Sequence, residues 1–220
     1  MVKLCIFDLD GTVLDTLQTI AYYGNLALEK NGIQPIPVRE YRYLAGTGAG
    51  NLVHKMLQYR CCDTQPVFEK VFRDYNEAYN ADVTCRSAIF PGLREALDAI
   101  REAGISLSIV SNKPDFAAKH VVSKLYGDGY FTRVVGQREG VALKPDPGAV
   151  IEVMKEQGVS SEECLYFGDT STDMQTGKNA GIFTVGVLWG FRDREELLEN
   201  GADLLLERPE EICSFVLSRN

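Results

Sequence analysis

Four apolar residues in a row, Leu4-Cys5-Ile6-Phe7, predict a short strand buried on both faces. The period then lengthens. Leu17, Ile20, Ala21, Gly24 and Leu28 share one helical face, and Asn31-Gly32 ends that helix. Leu52, Val53, Met56 and Leu57 mark a second helix, and Phe68, Val71, Phe72, Tyr75, Ala78 and Tyr79 a third with an aromatic stripe. Stripes of this kind read as core. No strand-like run interrupts residues 16–87, so that stretch is predicted to be an all-helical insert. From Ile89 strands and helices alternate. Leu93, Leu97 and Ile100 mark a helix ended by Gly104. A strand over Ile105–Val110 runs into Ser111-Asn112-Lys113, and a helix starts at Pro114. A short strand at Val134-Val135 precedes a helix carrying Val150, Val153 and Met154. Cys164–Phe167 is a strand, a helix runs to Ala180-Gly181, and Phe183–Val187 is the next strand. A short strand within Ala202–Leu206 and a helix from about Pro209 complete the pattern. Alternation with short loops specifies a parallel sheet covered on both faces, a doubly wound, Rossmann-like α/β fold. The expected division is a core of residues 1–15 and 88–220 with a helical cap, residues 16–87, inserted between them.

Composition narrows the partners. Of 220 residues 45% are hydrophobic and 25% charged, as in an ordinary folded protein, which argues against disorder. The formal net charge of −8 sets the surface against nucleic acid and anionic membrane. A small molecule bearing phosphate can bind only where a metal ion or a lysine reverses the sign locally. No apolar run approaches the roughly 20 residues of a membrane helix. Met1-Val2-Lys3 leads directly into the first strand, so no signal peptide is read and a cytoplasmic location is expected. The six cysteines form no CxxC or Cys/His ligand pattern and read as reduced thiols. His54 and His120 likewise match no metal-ligand spacing and read as surface or packing residues. A monomer or weak dimer is expected.

Chemistry concentrates at the predicted strand ends. Asp8 and Asp10 follow the first strand with side chains starting on one side, and Gly11 permits a sharp turn after them. The pair reads either as an acidic turn or as carboxylates held around a cation such as Mg2+. In a doubly wound sheet ligands bind at the carboxyl ends of the strands. Asp8 and Asp10, Ser111, and Asp169 with Asp173 all lie just past such ends, and Lys144 lies on a loop at the same edge. Together they describe a Mg2+ and phosphate site. Asp8, fixed at the strand tip, suits a nucleophile forming an aspartyl phosphate. Asp10 suits a general acid and base. Thr12 and Ser111 can donate to phosphate oxygens, Lys144 supplies positive charge beside Asp8, and Asp169 suits a metal ligand. Asp173, in the first turn of a helix, suits support of the metal shell or a pair with Lys144. In the insert, Gly46-Thr47-Gly48-Ala49-Gly50 reads either as a substrate-approaching lid, with Gly46 and Gly48 nearest the ligand, or as a flexible helix connection.

Asp8-Leu9-Asp10-Gly11-Thr12, Ser111-Asn112, Lys144-Pro145 and Gly168-Asp169-Thr170-Ser171-Thr172-Asp173 resemble the four motifs of the haloacid dehalogenase superfamily in order and spacing. The helical insert resembles that superfamily's small α-helical cap. The resemblance implies that the backbone carbonyl of Asp10 joins the Asp8 and Asp169 carboxylates around Mg2+, and that Ser111-Asn112 contacts phosphate. It also singles out Lys144, not Lys113, as the motif lysine. Dehalogenase members lack an acid at the place of Asp10, so its presence implies a phosphatase or phosphomutase. Gly46-Thr47-Gly48-Ala49 and Val187-Leu188-Trp189-Gly190-Phe191-Arg192 are similar to phosphoglycolate phosphatases, which implies phosphoglycolate as the leading substrate. A sugar phosphomutase, a pyrophosphatase of the same superfamily and a non-catalytic Mg2+/phosphate-binding module are the alternatives. Trp189-Gly190-Phe191 also reads as an aromatic plug over the sheet edge.

Overall fold

A computed structural model describes residues 1–220. Strand β1 (Leu4–Phe7) is wholly buried, as its unbroken apolar run requires. Its side chains divide by alternation between two cores. Cys5 and Phe7 face the larger one, and Leu4 and Ile6 the smaller. A two-residue strand, β2 (Leu14–Asp15), leads into α1 (Leu17–Lys30), α2 (Tyr41–Leu44), α3 (Ala49–Tyr59) and α4 (Gln65–Ala81). The chain returns through β3 (Ala88–Ile89), which pairs antiparallel with β2, Leu14 opposite Ile89. The insert thus leaves and rejoins the sheet through one short ribbon.

The remaining elements alternate as expected: α5 (Leu93–Glu102), β4 (Ser106–Pro114), α6 (Asp115–Tyr126), β5 (Arg133–Gln137) and α7 (Gly148–Gln157). Then follow β6 (Cys164–Gly168), α8 (Ser171–Asn179), β7 (Phe183–Val187), α9 (Arg194–Glu199), β8 (Leu204–Leu206) and α10 (Glu211–Leu217). Six strands form a parallel sheet in the order β5-β4-β1-β6-β7-β8. From β1 the chain steps outward to β4 and β5, then crosses to β6, β7 and β8. The strand order therefore reverses at β1, which opens a crevice at its carboxyl end. Phe7 and Phe167 stack at 4.8 Å just beneath that end.

Within the insert α1 packs on α4, with Tyr23 edge-on to Tyr79 at 5.4 Å. Val71, Tyr75 and Tyr79 are buried, as the aromatic stripe predicts. Asp74 is buried on the same helix and accepts from Asn31 Nδ2 (2.8 Å) and Lys30 Nζ (3.0 Å). His54 stacks on Phe68 at 3.9 Å and bonds Asp63, and all six cysteines are free. No helix is long and apolar enough to cross a membrane.

Candidate active site

The crevice gathers its residues from four strand ends. Asp8 follows β1, Ser111 to Lys113 occupy the end of β4, Asp169 follows β6, and Lys144 comes from the loop after β5. Each is buried. The carboxylate oxygens of Asp8, Asp169 and Asp173 lie within 4.8 Å of one another. Lys144 Nζ donates to Asp8 Oδ1 (2.7 Å) and Asp173 Oδ1 (2.6 Å), with Tyr166 Oη 3.3 Å away. Asp173 is held there because it also caps α8: its Oδ2 accepts from the Thr170 amide (3.0 Å) and hydroxyl (2.6 Å).

Asp169 is fixed from two sides. Its Oδ1 accepts from Thr12 Oγ1 (2.7 Å) and its Oδ2 from the Phe191 amide (2.8 Å). Gly11 and Gly190 make this possible, since a Cβ at either position would overlap the Asp169 side chain, and Gly11 also has φ +91°. The hydroxyl of Thr12, expected to donate to phosphate, is buried against Asp169 in this structure. The same anchoring places Trp189-Gly190-Phe191 in the site's support. Trp189 Nε1 donates to the Thr12 carbonyl (3.0 Å), so the loop is tied to both sides of Asp169 and is more than a plug.

Asn112 is likewise engaged elsewhere. Its Oδ1 accepts from the Lys144 amide (2.8 Å), and its Nδ2 donates to the carbonyls of Lys144 (3.2 Å) and Gly46 (3.3 Å). The side chain braces the lysine loop and the insert and has no donor left for phosphate. Ser111 Oγ accepts from the Lys113 amide (3.3 Å), which leaves its own proton free to donate. Asp10 departs furthest from the sequence picture. Both of its oxygens accept from Lys113 Nζ, at 2.7 and 3.0 Å. Lys113 is the residue that motif reasoning passed over. The strand read from sequence stopped at Val110, whereas β4 continues through Pro114 and carries both Ser111 and Lys113 into the crevice.

The insert roofs this crevice. Asp8, Asp10, Ser111 and Lys113 form the floor of a cavity whose walls include Gly46, Gly48, Leu52, Tyr75, Asn76 and Tyr79. Two arginines cross the seam in opposite directions. Arg42 of α2 donates to the carbonyls of Gly190 and Phe191 (3.1 Å each), and Arg192 donates to the Ala45 carbonyl (3.0 Å). Arg192 closes the Val187–Arg192 stretch that the sequence marked only by resemblance, whereas Arg42 was not singled out, because a one-turn helix carries no periodic signal.

Burial dominates the electrostatics. It pushes the Asp8 carboxyl up to about 6 against the pull of Lys144, with Asp173 and Asp10 adding to the rise. Asp169 is driven well above the usual carboxylate range, first by burial and then by Asp173 and Asp8. Burial alone would depress Lys144, yet Asp173 and Asp8 outweigh it and hold the ammonium well above its ordinary value. Three buried acids face one lysine, so the cluster carries an excess of negative charge where unpaired charge is costly. Its donors are oxygens only, without Cys or His. That set fits a hard divalent cation such as Mg2+.

Comparison with known proteins agrees with this architecture. The family model of haloacid dehalogenase-like hydrolases matches residues 5–187. The chain is 32% identical over 193 residues to a phosphoglycolate phosphatase of Rhodobacter capsulatus, covering 87% of each chain. It is 27% identical over 209 residues to one from Pseudomonas fluorescens, covering 93% of this chain and 76% of that one. Among solved structures, a protein of Lactobacillus delbrueckii subsp. bulgaricus superposes with a TM-score of 0.92 at 28% identity, covering 97% of this chain and 98% of that one. A match spanning most of the chain, on a sheet whose strand ends carry all four motifs, makes this protein a member of the haloacid dehalogenase-like hydrolase family.

Proposed function

We propose that this phosphatase is a Mg2+-dependent phosphomonoesterase that acts through an aspartyl phosphate on Asp8, with phosphoglycolate as its substrate. The observation that carries the reading is the state of Asp8. It sits at the tip of β1 on the cavity floor, with Oδ1 held by Lys144 and Oδ2 not engaged by any protein donor. A carboxylate held at one oxygen and open at the other is oriented for in-line attack.

Asp8 and Asp169, with the backbone carbonyl of Asp10, would hold Mg2+, and Asp173 would support that shell through Lys144. When bound, the ion supplies positive charge that offsets the repulsion between carboxylate and phosphate. Asp8 attacks phosphorus and the bond to the ester oxygen breaks. Asp10 gives its proton to the departing oxygen, then takes one from the water that attacks the acyl phosphate, so inorganic phosphate leaves and Asp8 is regenerated. Lys144 keeps Asp8 charged and offsets charge on the phosphoryl oxygens, and the Ser111 hydroxyl donates to one of them. Residues 16–87 act as a mobile cap, with Gly46 and Gly48 over the substrate, closing the site against water. Relatives named phosphoglycolate phosphatase, at 27 to 32% identity over most of the chain, support the choice of substrate.

The test is phosphate release from phosphoglycolate, p-nitrophenyl phosphate, a sugar phosphate and pyrophosphate, with Mg2+ and with EDTA. Phosphoglycolate should give the highest kcat/KM, release should vanish in EDTA, and a folded Asp8→Asn variant should give none. A larger kcat/KM for the sugar phosphate or pyrophosphate would overturn the substrate, and near-normal turnover by Asp8→Asn the nucleophile.

A further inference from the structure

The cavity contains a second lysine that the phosphoryl chemistry does not require. Lys113 Nζ is buried, its side chain 4% exposed, and Asp10 is the only acid within salt-bridge distance of it. The Tyr79 ring lies under the ammonium at 5.0 Å. This arrangement cannot survive the reaction unchanged. Both Asp10 oxygens accept from Lys113, so engaging a leaving oxygen loosens this pair. Loosening it leaves a buried ammonium short of counter-charge, a costly state unless another anion supplements Asp10.

The remaining cavity wall has no acid to offer. Its α4 side presents Tyr75, Asn76, Tyr79 and Asn80, all neutral, and Tyr79, whose ring lies against Lys113, has its Oη buried without a hydrogen-bond partner. A neutral wall with idle donors beside a lysine is complementary to a carboxylate carried by the substrate. Geometry narrows where that carboxylate must sit. The ester oxygen receives its proton from Asp10, and Lys113 lies one hydrogen bond from Asp10. The anion must therefore be close to the ester oxygen, as in an ester where only a methylene separates that oxygen from the carboxyl carbon.

We propose that Lys113 selects the substrate: released by Asp10, its ammonium takes the carboxylate of the alcohol half, so the enzyme prefers small phosphate esters with a carboxylate next to the ester carbon. This rests on the phosphoglycolate reading above and assigns it a residue. Lys113 then has two partners in turn, Asp10 while the site waits and the substrate carboxylate while it reacts. The exchange couples the arrival of a correctly charged substrate to the freeing of the acid.

The experiment compares kcat/KM for 2-phosphoglycolate with that for its amide, glycolamide phosphate, which keeps the shape and removes the charge. Wild type should favour the acid by at least about tenfold, the lower end of what a charge-assisted hydrogen bond supplies. Lys113→Gln keeps a donor toward Asp10, which protects the fold, and should bring the ratio close to one. Lys113→Arg should retain most of the preference. A preference that survives in folded Lys113→Gln overturns the assignment while leaving phosphoglycolate as the substrate. Equal rates on both esters in wild type overturn selection by charge without any variant. A wild type that hydrolyses p-nitrophenyl phosphate but neither of these esters refutes the substrate reading itself, and the assignment falls with it.

Discussion

Replacing Lys144 by Met keeps the length of the side chain and removes only its charge. In the folded protein Nζ lies 2.7 Å from Asp8 and 2.6 Å from Asp173, with its side chain 4% exposed, so both acids lose their counter-charge inside the protein. Breaking a buried pair from one side costs about 3–5 kcal/mol. A typical domain has about 5–15 kcal/mol in total, so the variant should still fold but unfold at distinctly lower urea. Its deficit should depend on pH, with a sign set by Asp8. The Asp8 carboxyl sits at about 6 in the fold, above an unfolded value of about 3.9, so the folded state binds the extra proton. Stability therefore falls as pH rises between those two values. Lys144 pulls the folded value down, and without it the window extends upward. The measurement is urea unfolding of both proteins in EDTA from about pH 5 to pH 8, with the deficit growing as pH rises. A deficit below about 1 kcal/mol, or one that is flat across the range, would refute the claim that Lys144 offsets these acids.

Three further outcomes are expected. Asp10→Asn should slow formation and breakdown of the aspartyl phosphate alike, by about 10²–10⁴-fold with a poor leaving group, and rapid-quench kinetics separates the two steps. Mg2+ should raise the melting temperature, by about 2.7 kcal/mol of stabilisation at a hundred times Kd, and Asp169→Asn should remove most of that shift in calorimetry. Gly48 has φ +91° where it caps α3, so Gly48→Val should strain the roof and lower kcat/KM for phosphoglycolate more than for p-nitrophenyl phosphate; an unchanged ratio places specificity elsewhere.

The parallel sheet was legible because its strands are short apolar runs closed by polar residues, and Phe183–Val187 was read to the residue. The short elements were not. Tyr41–Leu44 is a single turn, and Arg194–Glu199 buries only Leu197, so neither has room for a period. The ribbon of β2 and β3 has two residues per strand and exists only because the two ends of the insert meet. β4 runs past its predicted end because, after an irregularity, pairing with β5 resumes at Pro114 opposite Gln137. In the site, strand-end placement located the acids and the motif lysine. It could not show which donors were already spent. Thr12 and Asn112 look like phosphate ligands by residue type, and only their three-dimensional neighbours, Asp169 and the Lys144 loop, show their hydrogen bonds going elsewhere.

The peptide joining Gly190 to Phe191 links the two halves of the molecule. A trans peptide is a rigid plane whose carbonyl and amide point in opposite directions. Here the carbonyl side is gripped by Arg42 from above, and the amide side holds Asp169 from behind. The plane ties the roof on one side to a buried carboxylate on the other. On the cap motion proposed above, lifting α2 far enough to let product out would break the Arg42 grip and free the plane to tilt, and with it one of the two bonds that aim Asp169. Release and disarming would then be one motion: an open enzyme, exposed to bulk water and foreign phosphate esters, would regain the full alignment of its acid cluster only when the roof came down again.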